Sequence, residues 1–298
     1  MKQRIFENVS ASWVRYDRYE WREKDGVLYL IPAQGVKATP YDPIEEADSI
    51  VTAAMEIGLM LMRKAEQEEV KSSIHSFACQ YGLLGIITAL PTTARFASYE
   101  KVYFPKNQFV RAESMETEDY LKLFFPFEKP CFTKEGTQWE LEIAEEADVQ
   151  MKALALTYGT SPAPQVLSFM PFYAERYDWL AGVFKDWAFT FMTAVFYEND
   201  KDDLDEETLD LYRLGMAAFE GSAPTYHLEL RDRPTLVWYF HSLMANIKMM
   251  FSFSLTDVDH PLRLCKQCQK AFIASRSNAE FCSAACRDKF KSGKRAKK

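Results

Sequence analysis

The sequence predicts a mainly α-helical domain with a small N-terminal β-hairpin, followed by a compact four-cysteine module at the C-terminal end. Three observations carry that prediction. Apolar residues recur at helical spacing over several long stretches. An Asp-Gly step at Asp25 and Gly26 separates two strand-like runs. Four of the six cysteines gather as C-x2-C-x13-C-x3-C at Cys265, Cys268, Cys282 and Cys286.

The composition, 48% hydrophobic and 14% aromatic over 298 residues, is that of a chain with a buried core rather than a disordered one. That length suits one large domain or two smaller ones. The start, Met1-Lys-Gln-Arg-Ile-Phe-Glu-Asn8, lacks the apolar run of a secretory signal. The longest apolar stretches, near 83–90 and 187–197, fall short of the roughly 20 residues that span a bilayer. No membrane association and a reducing cytoplasm are therefore expected, with Cys79 and Cys131 as buried thiols.

Taken in order, residues 13–21 and 27–31 flank the Asp-Gly turn and predict the hairpin. Pro40 and Pro43 then punctuate a connection. A helix follows from about Ile44, because Ala47, Ile50, Val51, Ala54, Met55, Gly58 and Met62 share one face. Glu45, Glu46 and Asp48 suit the positive end of its dipole. A second helix is expected over about 67–90, with Val70, Ile74, Phe77, Tyr81 and Leu84 inward and Pro91 as its stop. Residues 102–105 read as extended, 117–125 as a short helix and 138–143 as a strand.

Beyond Pro171 the chain turns strongly helical. Residues 172–197 are aromatic on nearly every side, which predicts a helix buried centrally, though such stripes also line ligand pockets. The acidic run 198–207 fails the calcium-loop pattern: Leu204 stands fifth from Asp200 and no glycine follows. It reads instead as a solvated loop capping a helix at 206–219. A last helix should open at Asp232, Arg233 and Pro234, with Leu236, Val237, Phe240, Leu243, Met244, Ile247 and Phe251 inward. The resulting partition is a helical domain over 1–254, a short linker over 255–264, a four-cysteine finger over 265–292 and a basic tail over 293–298.

The cysteine spacing has a chemical reason. Zinc takes four ligands at tetrahedral corners, and a C-x2-C pair fits a tight turn around one ion. Cys282 and Cys286 stand four apart, so one helical turn brings them to the same face. Ser283 suits the N-cap of that helix, Ala284 and Ala285 favour it, and Gly293 suits its stop. A ligand turn, a short hairpin and a helix carrying two more ligands make the outline of a treble clef, with Phe272, Ile273 and Phe281 as its apolar cluster. Two disulfides could use the same cysteines, an arrangement typical of secreted chains. Zn2+ is the expected cofactor. His260 could compete as a ligand, but four thiolates already complete the shell and leave no open position for catalysis.

The run Cys265-Lys-Gln-Cys268-Gln-Lys-Ala-Phe272, with Ser275-Arg-Ser-Asn278, Phe281-Cys282-Ser283 and Cys286-Arg287-Asp288-Lys289, resembles the CGNR-type zinc finger of bacterial regulators. The resemblance implies a helical N-terminal domain joined to a C-terminal finger that binds DNA. The family's Gly-Asn-Arg after the last ligand is Arg287-Asp288-Lys289 here, and the spacing within each cysteine pair is shorter.

Charge divides along the same line. Residues 261–298 carry eleven Lys/Arg against two acids, a net +9, which leaves −16 on the remainder of a chain with overall charge −7. Lys266, Lys270, Arg276, Asn278, Arg287, Lys289, Lys291, Lys294 and Arg295 are the candidate nucleic-acid contacts. Cations would bind phosphates by counterion release, and Arg276, Asn278 and Arg287 have side chains suited to base edges. The same cations could instead offset the charge of a zinc held by four thiolates.

No catalytic pattern accompanies these features. Phosphate-binding glycine loops and a nucleophile elbow are absent from the sequence. Of His75, His227, His241 and His260, only His227 with Glu229 and His241 could suggest acid–base work or a second metal, and they match no metal-protease or deaminase motif. No enzyme is expected. The expected function is that of a zinc-binding regulator whose finger contacts DNA or RNA, its helical domain sensing a ligand or dimerising. The alternative is a protein-interaction module with a purely structural zinc, its basic tail meeting an acidic partner or the chain's own acidic domain.

Overall fold

The structure, a computed structural model, describes residues 9–10, 13–93, 96, 99–127, 133–135, 138–140, 172–221, 224–230 and 232–295. Two compact units emerge, each assembled from three separate stretches of chain. The first comprises 1–45, 71–180 and 222–246; the second comprises 46–70, 181–221 and 247–298. Eight α-helices and fourteen short strands occur among the described residues. The chain is therefore a mixed α/β fold rather than the mainly α one expected.

In the first unit, strands β1 (Val9–Ser10), β2 (Trp13–Tyr16), β3 (Tyr19–Lys24), β4 (Val27–Pro32) and β5 (Ala38–Tyr41) come first. The Asp-Gly hairpin forms as predicted: Lys24 pairs with Val27, and Asp25 and Gly26 both take positive φ, 51° and 74°. That is the turn whose twist suits antiparallel strands. The expectation that residues 13–21 run as one strand is corrected. β2 pairs with β5, placing Pro40 opposite Val14, so the proline-marked connection is itself a strand. Proline is tolerated there because β5 has β2 as its one neighbour.

Helix α2 (Gln67–Tyr81) ends nine residues short of the predicted stop, and only a single turn, α3 (Ile86–Ala89), follows. Val70, Ile74, Phe77, Tyr81 and Leu84 are all buried as expected. The break is held by tertiary contacts. Gly82 and Gly85 take φ of 90° and 72°, and a Cβ on Gly85 would collide with the Trp13 ring. Two strands and a helix follow: β6 (Lys101–Tyr103) pairs with β7 (Ser114–Glu116), which leads into α4 (Thr117–Lys122). Next, β8 (Thr133–Glu135) pairs with β9 (Gln138–Glu140). The remainder of the strand expected to 143, and Cys131, lie outside the described residues.

β10 (Glu175–Arg176) adds to the far side of β4 and leads into the 24-residue helix α5 (Tyr177–Asp200). Around the first of these, Tyr120, Phe124 and Tyr173 are fully or almost fully buried, with Phe124 stacked on Tyr173 at 5.8 Å between ring centroids. The helix is not buried on every side, contrary to what the aromatic run over 172–197 predicts. Phe184, Trp187 and Phe191 are buried, whereas Phe189 is 58% exposed.

The largest correction concerns residues 225–242. β11 (Thr225–Leu230) and β12 (Pro234–Tyr239) form an antiparallel hairpin, and β1 lies parallel to β12 on its other side. The predicted last helix thus begins only as α7 (Leu243–Thr256). The Thr-Leu-Val-Trp-Tyr run has strand propensity, and the paired strand Thr225–Leu230 decides the matter. Leu236 and Val237 therefore belong to a strand, while Leu243, Ile247 and Phe251 are buried in a helix as expected.

A 3-10 turn (Pro43–Glu46) leads into α1 (Ala47–Met62) of the second unit, which buries Ile50, Val51, Ala54, Met55, Ile57, Gly58 and Leu59. Gly58 lets α1 approach α5 so closely that a Cβ would overlap the Phe184 carbonyl and the Ala188 side chain. Helix α6 (Glu206–Ala217) is capped as predicted by the acidic loop: Thr208 N–H donates to Asp205 Oδ1 at 2.8 Å. Phe219 and Phe251 meet edge to face at 5.3 Å. The expected linker over 255–264 is shorter in fact, since α7 runs to Thr256 and a strand begins at Leu262.

Candidate metal centre

The C-terminal module consists of β13 (Leu262–Leu264), β14 (Ala271–Ile273) and α8 (Ala284–Arg295). Leu262 pairs with Ile273 and Leu264 with Ala271, forming the expected hairpin. Its connecting turn carries the first two cysteines. Cys265 N–H donates to the Lys270 carbonyl at 2.9 Å, and Gln269 N–H donates back to the Cys265 carbonyl at 2.9 Å. Closing the turn places Gln269 in the left-handed region, with φ of 57°.

Ser283 caps α8 as predicted. Its Oγ accepts from Cys286 N–H at 3.2 Å, which sets Cys286 in the first helical turn beside Cys282. Phe281 packs on Phe290 at 5.2 Å and fastens the helix to the segment before it. Lys266 N–H donates to the Glu280 carbonyl at 3.0 Å, so the two ligand-bearing segments are also tied through their backbones.

These elements bring four sulfurs together. The Sγ atoms of Cys265, Cys268, Cys282 and Cys286 all lie within 4.8 Å of one another. Cys268 and Cys282 are 3.7 Å apart, and Cys282 and Cys286 3.6 Å. A disulfide would need about 2.05 Å, so these are free thiols. Tetrahedral ligands at about 2.3 Å from one ion stand about 3.8 Å apart, which the observed separations match. The donor set and its spacing fit a single thiophilic cation. His260, five residues before Cys265, is not part of the cluster; its N–H donates to Asp257 Oδ1 at 2.7 Å.

Electrostatics within the cluster favour a bound cation. Burial raises the Cys265 thiol, but the backbone N–H groups of Cys268, Cys282 and Gln267 outweigh it and bring it down to about 6. Burial and the three neighbouring thiols push Cys282 up to about 12, and burial also raises Cys268. Four thiols at this spacing cannot all ionise against one another without a positive charge among them.

The other candidate residues are distributed around this centre. Lys266 pairs with Glu280 at 2.5 Å. Lys270, Arg276 and Asn278 are exposed on the hairpin and on the loop that follows it. On α8, Arg287, Lys289 and Lys291 are exposed. Helical spacing puts positions 287, 291, 294 and 295 within about 100° of arc, whereas 289 falls on the opposite side. Arg287 touches Asp288 at 3.3 Å in an exposed pair. The backbone of Lys294 and Arg295 continues α8, and residues 296–298 of the tail lie outside the described residues.

Two residues beyond the reach of the sequence pattern also engage the module. Arg63, just past the end of α1, donates through its guanidinium to the Gln269 carbonyl at 2.5 Å. Glu56 Oε1, about two turns before the end of α1, accepts from Ala271 N–H at 2.7 Å. Burial raises the Glu56 carboxyl, opposed by that N–H and by the nearby cations Lys270 and Arg63. No sequence signal joins positions some two hundred residues apart.

Of the remaining histidines, His241 Nε2 meets Thr225 Oγ1 at 2.8 Å, and its carbonyl accepts from Thr88 Oγ1 at 2.5 Å. The side chains of His227 and Glu229 lie outside the described residues. Among those described, no helix is long and apolar enough to cross a membrane. Comparison with protein-family models, curated proteins and solved structures finds no match to this chain.

Proposed function

We propose that the four cysteines hold a structural zinc ion and that the helix they anchor is a nucleic-acid contact. A tetrahedral all-sulfur set suits zinc, and its closed shell serves folding rather than chemistry. The observation carrying the nucleic-acid reading is the spacing of Arg287, Lys291, Lys294 and Arg295 along one side of α8, whose first turn supplies Cys286. A metal-held helix would present those cations to phosphates without the loss of order a free tail suffers on binding. The exposed Arg287–Asp288 pair is weak enough for a phosphate to displace. Arg276 and Asn278, exposed beside the helix, have the donor patterns for base edges. Under this reading the remaining chain senses a ligand or dimerises, in a reducing cytoplasm that keeps the thiols available.

Fluorescence anisotropy of labelled duplex and single-stranded oligonucleotides across a salt series tests the reading. Arg287→Glu combined with Lys291→Glu is preferable to truncation, because residues 247–298 form one unit with 46–70 and 181–221. The expected result is salt-dependent binding by the wild type. The slope of log K against log salt should fall in magnitude by about 2 or more in the double variant. Absence of binding at low salt rejects it and favours the alternative, a zinc-stapled protein-interaction module meeting an acidic partner.

A further inference from the structure

The hydrogen bonds around the ligand turn reach beyond the finger. Arg63 holds the carbonyl of Gln269, and Glu56 holds the N–H of Ala271. These two groups flank Lys270, whose own carbonyl receives Cys265 N–H at 2.9 Å. Cys265 is the fully buried ligand, and its sulfur also accepts from Cys282 N–H at 3.5 Å. The first cysteine pair thus sits on a backbone loop gripped at two points by α1.

We propose that Glu56 and Arg63 are positioning residues of the metal site, acting through the backbone of residues 269–271. The inference rests on the reading of the four cysteines as a zinc centre. Its physical basis is the strained turn. Gln269 occupies a left-handed conformation that a non-glycine residue adopts at a cost. Arg63 satisfies the carbonyl of that residue, and Glu56 satisfies the N–H at the start of β14. Without them the loop relaxes, Lys270 shifts, and Cys265 loses the N–H contact that fixes its backbone. Groups that orient metal ligands in this indirect way typically change affinity by about 10–100-fold when removed. The module is then not autonomous: its metal affinity includes a contribution from a helix about 200 residues earlier.

The experiment uses the full-length chain as wild type, Arg63→Ala, Arg63→Lys, Glu56→Ala and Glu56→Gln. Zinc affinity is measured by chelator competition, and the site geometry by the visible absorption and thiolate charge-transfer bands of the cobalt(II)-loaded protein. Circular dichroism reports folding. The expected result is a tetrathiolate cobalt spectrum for wild type, with affinity about 10-fold or more weaker and altered bands in Arg63→Ala and Glu56→Ala. Glu56→Gln keeps an acceptor oxygen and should restore both readouts. Arg63→Lys, which keeps a cationic donor but loses the planar guanidinium, should recover part of the affinity. Arg63 is exposed, so Arg63→Ala decides the question even where Glu56→Ala does not fold. Folded alanine variants with wild-type affinity and spectrum would overturn the proposal. A wild-type chain that takes up neither zinc nor cobalt would overturn the zinc reading itself, and this inference with it.

Discussion

Glu175 accepts the backbone N–H of Leu84 through Oε2 at 2.8 Å, joining positions 91 residues apart. Its other oxygen accepts from Ile86 N–H at 2.9 Å and from the Tyr173 hydroxyl at 2.5 Å. A fully buried carboxylate thereby terminates the helix that the sequence alone would have continued to Pro91. Glu175→Gln should destabilise the protein by about 1–3 kcal/mol, since an amide NH2 would face one of the N–H donors. Glu175→Ala should cost more, as it leaves three donors without an acceptor. Urea denaturation checks both.

The same carboxyl sets a pH dependence. Burial raises it above the ordinary carboxylate range, against the hydrogen bonds that lower it. The folded state therefore holds this proton at pH values where the unfolded chain has released it. Its contribution to stability is present below the unfolded value of 4.5 and is lost as pH rises through the folded value. Comparing wild type with Glu175→Gln from pH 4 upward should show a loss of stability in wild type that the variant lacks.

Gly58 offers a steric test. Alanine there would press a methyl into the Phe184 carbonyl and Ala188 side chain, at the closest approach of α1 to α5. Overpacking of this kind costs about 1–3 kcal/mol, against a small gain from helix propensity. A lowered denaturation midpoint in Gly58→Ala is expected; an unchanged one would mean that the helices are not so close.

Metal loading should be proton-coupled. Cys268 and Cys282 are raised in the absence of a cation, whereas Cys265 is brought down to about 6. At pH 7 the first two carry protons that a bound metal must displace, so loading should release at least two protons per site. Affinity should accordingly weaken as pH falls. Zinc titration by calorimetry in buffers of different ionisation enthalpy counts the protons directly.

Gln269 allows a test of the turn. Its φ of 57° suits glycine, and its side-chain Nε2 reaches the Lys266 carbonyl at 3.3 Å. Gln269→Gly should retain metal binding, while Gln269→Val should lose about 1–2 kcal/mol of metal-dependent stability, because a β-branched side chain opposes the left-handed conformation. Thermal melts with and without chelator separate the two.

What the sequence determined by itself was local. Asp25 and Gly26 specify their turn through their own backbone preferences, Asp205 caps α6 within three residues, and the cysteine spacing places Cys286 one helical turn from Cys282. In each case the physical cause lies within about one turn of chain. The apolar face of α1 was legible for the same reason, since periodicity reports which side is buried without naming its partner. Tertiary structure alone decided the rest. The strand at Pro234–Tyr239 exists because Thr225–Leu230 pairs with it, overriding a pattern equally readable as a helix. Helix α2 stops at Tyr81 because Glu175 and the left-handed glycines hold the following amides. Glu56 and Arg63 grip the ligand turn because the second unit folds positions 46–70 against 247–298. Hydrogen bonds between groups so distant in sequence leave no local imprint, for neither partner has a spacing that refers to the other.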